Sequence, residues 1–415
     1  MVVRLRTNQF YRNPWFILVV ILLASVAAPL NQFKVPPLLP LLMDFFHQPV
    51  GKAGLLMSIF AITGLILALP AGFISHRLGH RTTGLIALTT LVLGALLGAF
   101  SQSIGTMLAS RFIEGAGMGL MAVVAPAIIA LQFTDEQRGK AMGIWAIWAP
   151  IGSMAMFLLA PSLASLWDWQ SVWWFGCFYS LFVGLLFFLF IQPSSGSFLN
   201  LKNSESFKPL SRPALKRALR NRDLWLIGIL FACFTFNAYA FSTWTPTFLH
   251  GVHKVPLSKA SMIMGISPML LLVSCPLAGW LSDRIRSRKA TCVLPMMVMA
   301  FLYPLASILK TESFLPLVIT LGLLNGAIPA CVFAAGIEAV GDERLGGMAM
   351  AVVMMGQNLG MLLGPIVFGW IVESTGSWSV AFWGLAPISL IGAVLGWVAK
   401  MDAADHSPSH LAEKR

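Results

Sequence analysis

Apolar runs of about 20 residues recur from one end of the chain to the other, parted by short charged or Pro/Gly-rich breaks. They begin near Trp15, Ala53, Thr82, Ile104, Lys140, Gln170, Leu224, Leu257, Ala290, Phe314, Gly346 and Gly376. About 20 residues at a 1.5 Å rise cover the ~30 Å hydrocarbon core of a bilayer. Inside the runs apolar and polar residues do not alternate, so helices rather than the strands of a closed barrel must satisfy the backbone. The pattern predicts an all-α membrane protein of twelve spans. One long polar segment, residues 192–222, rich in Ser, Pro and basic residues, separates a unit at 1–191 from a second at 223–400. A short amphipathic helix is expected within it around Ala214–Arg220, and residues 401–415 form a tail.

Composition agrees with this pattern. The 415 residues are 57% hydrophobic and 11% charged, with a mean hydropathy of +0.80. A soluble domain carries roughly a quarter charged residues, so a water-soluble core is excluded. The net charge of +12 would suggest nucleic acid in a soluble protein. Here the cations lie mainly in short loops between spans, where they set topology, and no nucleic-acid partner is implied. With the N-terminus taken as cytoplasmic, 22 of the 28 Lys and Arg fall on that side and 4 on the other. This asymmetry predicts that both termini lie in the cytoplasm, and the expected location is the plasma (inner) membrane, multi-pass. Arg4, Arg6 and Arg12 precede the first run, but that run is too long for a signal h-region and is expected to stay as span one. The five cysteines, all within apolar runs, lack metal-ligand spacing and are expected to pack.

The chain repeats itself. Gly72-Phe-Ile-Ser-His-Arg-Leu-Gly-His-Arg81 matches Gly279-Trp-Leu-Ser-Asp-Arg-Ile-Arg-Ser-Arg288 at an offset of 207 residues. Asp135-Glu136-x-x-Gly139 matches Asp342-Glu343-x-x-Gly346 at the same offset. Two anchors at one offset of half the chain imply two six-helix halves. The first loop resembles the G-x-L-x-D-R-x-G-R-R signature of the major facilitator superfamily, and its second copy is a closer match. Span four carries Arg111-Phe-Ile-Glu-Gly115-Ala-Gly117-Met-Gly119, similar to that family's R-x-x-x-G-x-G motif. The resemblance covers nearly the whole chain. It implies two bundles rocking about a central cavity that opens alternately to each side. It also implies gating roles for Gly72, His76, Arg77, Gly79 and Arg81, and for Gly279, Asp283, Arg284 and Arg288. His76 stands where the family usually has Asp, so a latch there is weak or pH-dependent. The family's antiporter motif survives only in degraded form, as Gly143 with Ala149-Pro150-Ile151-Gly152.

An ionisable group inside the hydrocarbon is costly, which makes each one a functional candidate. Lys34 in span one and Arg111 in span four lie at similar depth, roughly 12 and 10 Å from the same end. In the family's fold both spans line the cavity. Their repeat equivalents, Phe241 and Val318, are apolar, so the shared scaffold does not demand the two charges. Paired cations at one depth suit an anionic cargo. Two alternatives remain open: Lys34 snorkelling to the interface, and Arg111 pairing permanently with Glu114 one turn away. Glu114, the acid well inside a span, is the candidate for proton coupling, against a static salt bridge. Asn31, Trp145, Asn237, Trp244, Asn325, Gln357 and Asn358 are further candidates for the substrate site, although helix packing explains many such groups. Gly115, Gly117 and Gly119 read as close helix contacts, because no strand precedes them as a nucleotide fingerprint requires.

No nucleophile–base–orienter set, metal cluster or Walker motif is present, so neither an enzyme, a cofactor nor a primary pump is implied. The reading is a monomeric secondary transporter that moves a small, carboxylate-like organic anion with protons across the lipid bilayer. The alternatives are a proton-coupled exporter of amphipathic or neutral compounds, using an adaptable surface from the 21 methionines and the aromatics, and a non-transporting sensor.

Overall fold

The computed structural model describes residues 13–67, 70–192, 220–340 and 345–402, without the side chains of His76 and Asp135. Residues 214–219 of the amphipathic helix expected at Ala214–Arg220, most of the linker and tail, and the Asp342-Glu343 anchor lie outside the described residues. The described residues form helices and no strand.

In the first half these are α1 (Pro14–Gln32), α2 (Leu39–Phe46), α3 (Val50–Ala53), α4 (Leu55–Leu67), α5 (Pro70–Leu78), α6 (His80–Ala99), α7 (Ile104–Gln132), α8 (Asp135–Trp145), α9 (Trp148–Trp167) and α10 (Gln170–Phe190). The second half contributes α11 (Arg222–Gly251), α12 (Leu257–Ile285), α13 (Arg288–Leu305), α14 (Phe314–Asn325), α15 (Ala327–Ala339), α16 (Gly346–Thr375) and α17 (Trp378–Val398). Merged across their short breaks, eleven stretches are long and apolar enough to cross a bilayer. The twelfth, α13, opens on Arg288 and Lys289 and carries Pro295 and Pro304, which dilutes its apolar character.

Helix boundaries follow local chemistry. Ser103 and Thr106 form a capping box at the start of α7, and the side chains of Asn221 and Ser287 cap α11 and α13. The repeat is visible in the backbone as well. Gly79 turns with φ +83°, and its counterpart Arg286 adopts φ +55° at the same step of the second loop. Both residues redirect the chain into the next helix, although only one of them is a glycine.

Each half packs as a bundle, α4 and α6 on α7 in the first and α16 on α11 and α13 on α17 in the second. Small residues let backbones touch. A Cβ on Gly356, Gly360 or Gly364 would meet the backbone of α11 at Gly228, Ala232 or Phe236. Gly115 and Gly117 likewise abut the carbonyls of Phe60 and Ala87, as close helix contacts. Gly152, the remnant of the antiporter motif, seats α9 against Pro29 and Leu30 of α1.

The halves meet through α3 and α4 against α16, and through α9 against α12. These contacts gather toward the end that carries Lys52, Lys254 and Lys310. There Glu373 accepts a hydrogen bond of 2.6 Å from the backbone N–H of Gly51, and Gly54 lies against the Pro365 carbonyl. The two bundles thus touch at that end.

Candidate functional site

Proline chemistry builds the first-half cluster. Pro36 has no N–H, so the carbonyl of Gln32 has no helical donor and α1 ends there. Arg111 fills the gap. Its Nη2 donates to Gln32 O at 2.9 Å, its Nη1 to Asn31 O at 2.6 Å, and its Nε to Leu56 O at 3.1 Å. Arg111 also donates to one oxygen of Glu114, and Lys34 to the other. Lys34 adds a 3.0 Å bond to the Asn31 side-chain oxygen and stands 4.6 Å from the centre of the Trp173 ring. Asn31 in turn donates to Ser180 at 3.0 Å. Lys34, Arg111 and Glu114 all have 0% exposure. Two cations thus share one carboxylate, and the cluster carries one surplus positive charge in a low-dielectric interior. Lys34 does not snorkel: its ammonium is turned inward.

Between the halves lies a cavity of about 230 Å³. Phe33, Phe157, Tyr239, Phe241 and Tyr303 form much of its wall, with Ser153, Thr235, Ser242, Ser267, Asn325 and Gln357 as polar points. No Asp, Glu, Lys, Arg or His is among the described residues that line it. The charged cluster sits one layer behind this wall. Phe33, next to Lys34, faces the cavity, and the Gln32 side chain lies against the Tyr239 hydroxyl. Phe241 and Val318, the repeat equivalents of Lys34 and Arg111, both line the cavity. The first half therefore carries its charges at positions that face the cavity in the second.

Of the site residues expected from sequence, Asn325 and Gln357 reach the cavity, while Asn31, Lys34, Arg111 and Glu114 form the cluster behind it. The others are held within helix contacts. Asn237 donates to Leu385 O and Ser389, Trp244 to Pro365 O, and Asn358 to Met354 O. Trp145 donates to Ser25 and stacks on Trp148 at 5.5 Å. In the motif loops, Arg81 donates to Phe188 O at 2.7 Å, Arg288 pairs with Glu338 at 2.6 Å, and Arg284 lies over Trp280. The His76 side chain lies outside the described atoms. Sequence reasoning passed over Tyr239 and Tyr303, although they are two of only four tyrosines in the chain and each places a hydroxyl in an apolar run. Glu373, which accepts from the backbone of Gly51 in the opposite half, is likewise absent from the residues that the sequence singles out.

The sequence profile of the Major Facilitator Superfamily matches residues 21–348 and 342–415, and the chain belongs to that family. A probable nitrate transporter, NarT, of Staphylococcus epidermidis is 26% identical over 378 residues, covering 90% of this chain and 93% of its own. The hexuronate transporter of Bacillus subtilis is 22% identical over 390 residues, covering 90% and 92%. Protein spinster of Drosophila melanogaster is 24% identical over 299 residues, and the match spans 70% of this chain but 49% of spinster. A solved bacterial homologue of the human lysosomal transporter Spinster, inward-facing and occupied, shares the fold. Its TM-score is 0.79 at 15% identity, over 95% of this chain and 98% of that one.

Proposed function

We propose that this chain moves a small organic anion together with a proton by alternating access, with both termini in the cytoplasm. One observation carries this reading: two cations share one carboxylate at first-half positions whose counterparts line the cavity. An anion entering the cavity offsets the surplus charge. A proton on Glu114 would raise that surplus from one to two, so anion and proton favour each other's binding, and by linkage the effect is reciprocal. The matches to nitrate and hexuronate transporters support the anionic reading. A second reading, export of neutral or amphipathic compounds, draws on the cavity's uncharged aromatic wall.

Proteoliposomes holding the purified chain, given a panel of organic anions with and without an inward proton gradient, separate the two. The expected result is anion uptake stimulated by the gradient and lost in Lys34→Ala and Arg111→Ala. Unchanged uptake of every anion in both variants would sink the binding role of the cluster.

A further inference from the structure

We infer that the Tyr303 hydroxyl, with Ser267 and Gln357, touches the anionic group of the cargo, while Lys34 and Arg111 act on it through space. The inference rests on the anion reading above and names the groups in contact.

The first argument is which protons are free. A hydroxyl has one hydrogen, and once that is donated to a carbonyl only lone pairs remain, which repel an anion. Ser153 donates to the carbonyls of Ala149 and Pro150 at 2.9 and 3.1 Å, Thr235 to Phe231 O at 2.8 Å, and Ser242 to Tyr239 O at 3.3 Å. These three line the cavity with their protons already placed. By contrast, the side chains of Ser267, Tyr303 and Gln357 have no hydrogen-bond partner among the described residues, and none is sealed off from the cavity they line.

The second is burial. Tyr303 is 1% exposed and Ser267 5%. A buried tyrosine O–H normally has a partner, and an anionic oxygen is the acceptor that gains most from one.

The repeat supplies the third. The counterparts of Ser267, Tyr303 and Gln357, 207 residues earlier, are Phe60, Leu96 and Pro150, all apolar. The shared scaffold therefore demands no polar group at these positions. Charge belongs to the first half and free neutral donors to the second.

The cations are meanwhile occupied. Arg111 donates to three carbonyls and to Glu114, and Lys34 to Glu114 and Asn31. Neither lines the cavity, so their surplus charge reaches the cargo only across the wall, where a low dielectric lets it act.

Isothermal titration calorimetry of the purified full-length chain with acetate, benzoate, glucuronate and nitrate tests the assignment. Anions that bind the wild-type chain should bind Tyr303→Phe about ten- to hundredfold more weakly, with the melting temperature of the empty chain unchanged. Ser153→Ala, which removes a proton already committed to the backbone, should stay within about twofold of wild type. Should Tyr303→Phe melt at a lower temperature, Ser267→Ala carries the same test with the same expected loss. Affinity within about twofold of wild type in the folded variant overturns the assignment and leaves the anion reading standing, as does an equal loss in Ser153→Ala. Binding of none of the four anions by the wild-type chain overturns both.

Discussion

Glu114 is the residue on which the buried charges depend, because it is the single acid between Lys34 and Arg111. Removing one member of a buried charge set costs about 3–5 kcal/mol, mostly through the ions left uncompensated. Glu114→Gln is therefore expected to lower the melting temperature in detergent sharply, and to abolish gradient-stimulated uptake. The double variant Lys34→Met, Glu114→Gln restores the original net charge at similar volume. It should regain much of the lost stability while staying uncoupled from the proton gradient. Thermal melts read with uptake separate a packing role from a coupling role. At this scale the sequence exposed the three charges by their cost in lipid. It offered Glu114 as a partner for Arg111 but could not assign the partner of Lys34, because pairing across 80 residues depends on where a broken helix turns the Lys34 side chain.

At the scale of elements, close backbone approach holds the second half together. Gly356, Gly360 and Gly364 recur every four residues and so form one face of α16 against α11. Gly360→Val has no room beside Ala232 O and Phe236 N, and the strain of overpacking is about 1–3 kcal/mol. The expected outcome is a lower melting temperature and less monodisperse protein on size exclusion, with an exposed change such as Phe301→Ala serving as the control. Glu373 acts between elements. Its carboxylate meets the N-terminal end of the α3–α4 segment from the opposite half, a contact worth about 0.3–1 kcal/mol at an exposed helix start. Glu373→Gln should shift the population by about two- to fivefold toward opening at that end. Labelling of a cysteine placed in the cavity wall, driven by a reagent confined to that side, measures the shift. Unchanged accessibility would mean that packing alone, Gly54 on the Pro365 carbonyl and Gly265 on Phe157, sets the closed state.

For the whole molecule, the proposed orientation has a direct check. Lys310→Cys should react with a membrane-impermeant maleimide on intact cells, whereas Arg77→Cys should react only after permeabilisation. The opposite pattern would invert the topology.

The sequence by itself determined the helical class, the succession of spans, the two-half repeat and the family. Hydrophobic transfer energy and loop charge act locally along the chain, and a 207-residue offset needs no coordinates to detect. It also isolated Lys34, Arg111 and Glu114, since a charge in an apolar run is conspicuous in one dimension. Only the tertiary structure decided that these three satisfy one another behind the wall, and that the wall itself is aromatic and uncharged. Which of many apolar residues face a cavity rather than lipid or core depends on helix rotation and on how two bundles lean together. Those are properties of packing between distant segments, and the linear pattern does not contain them.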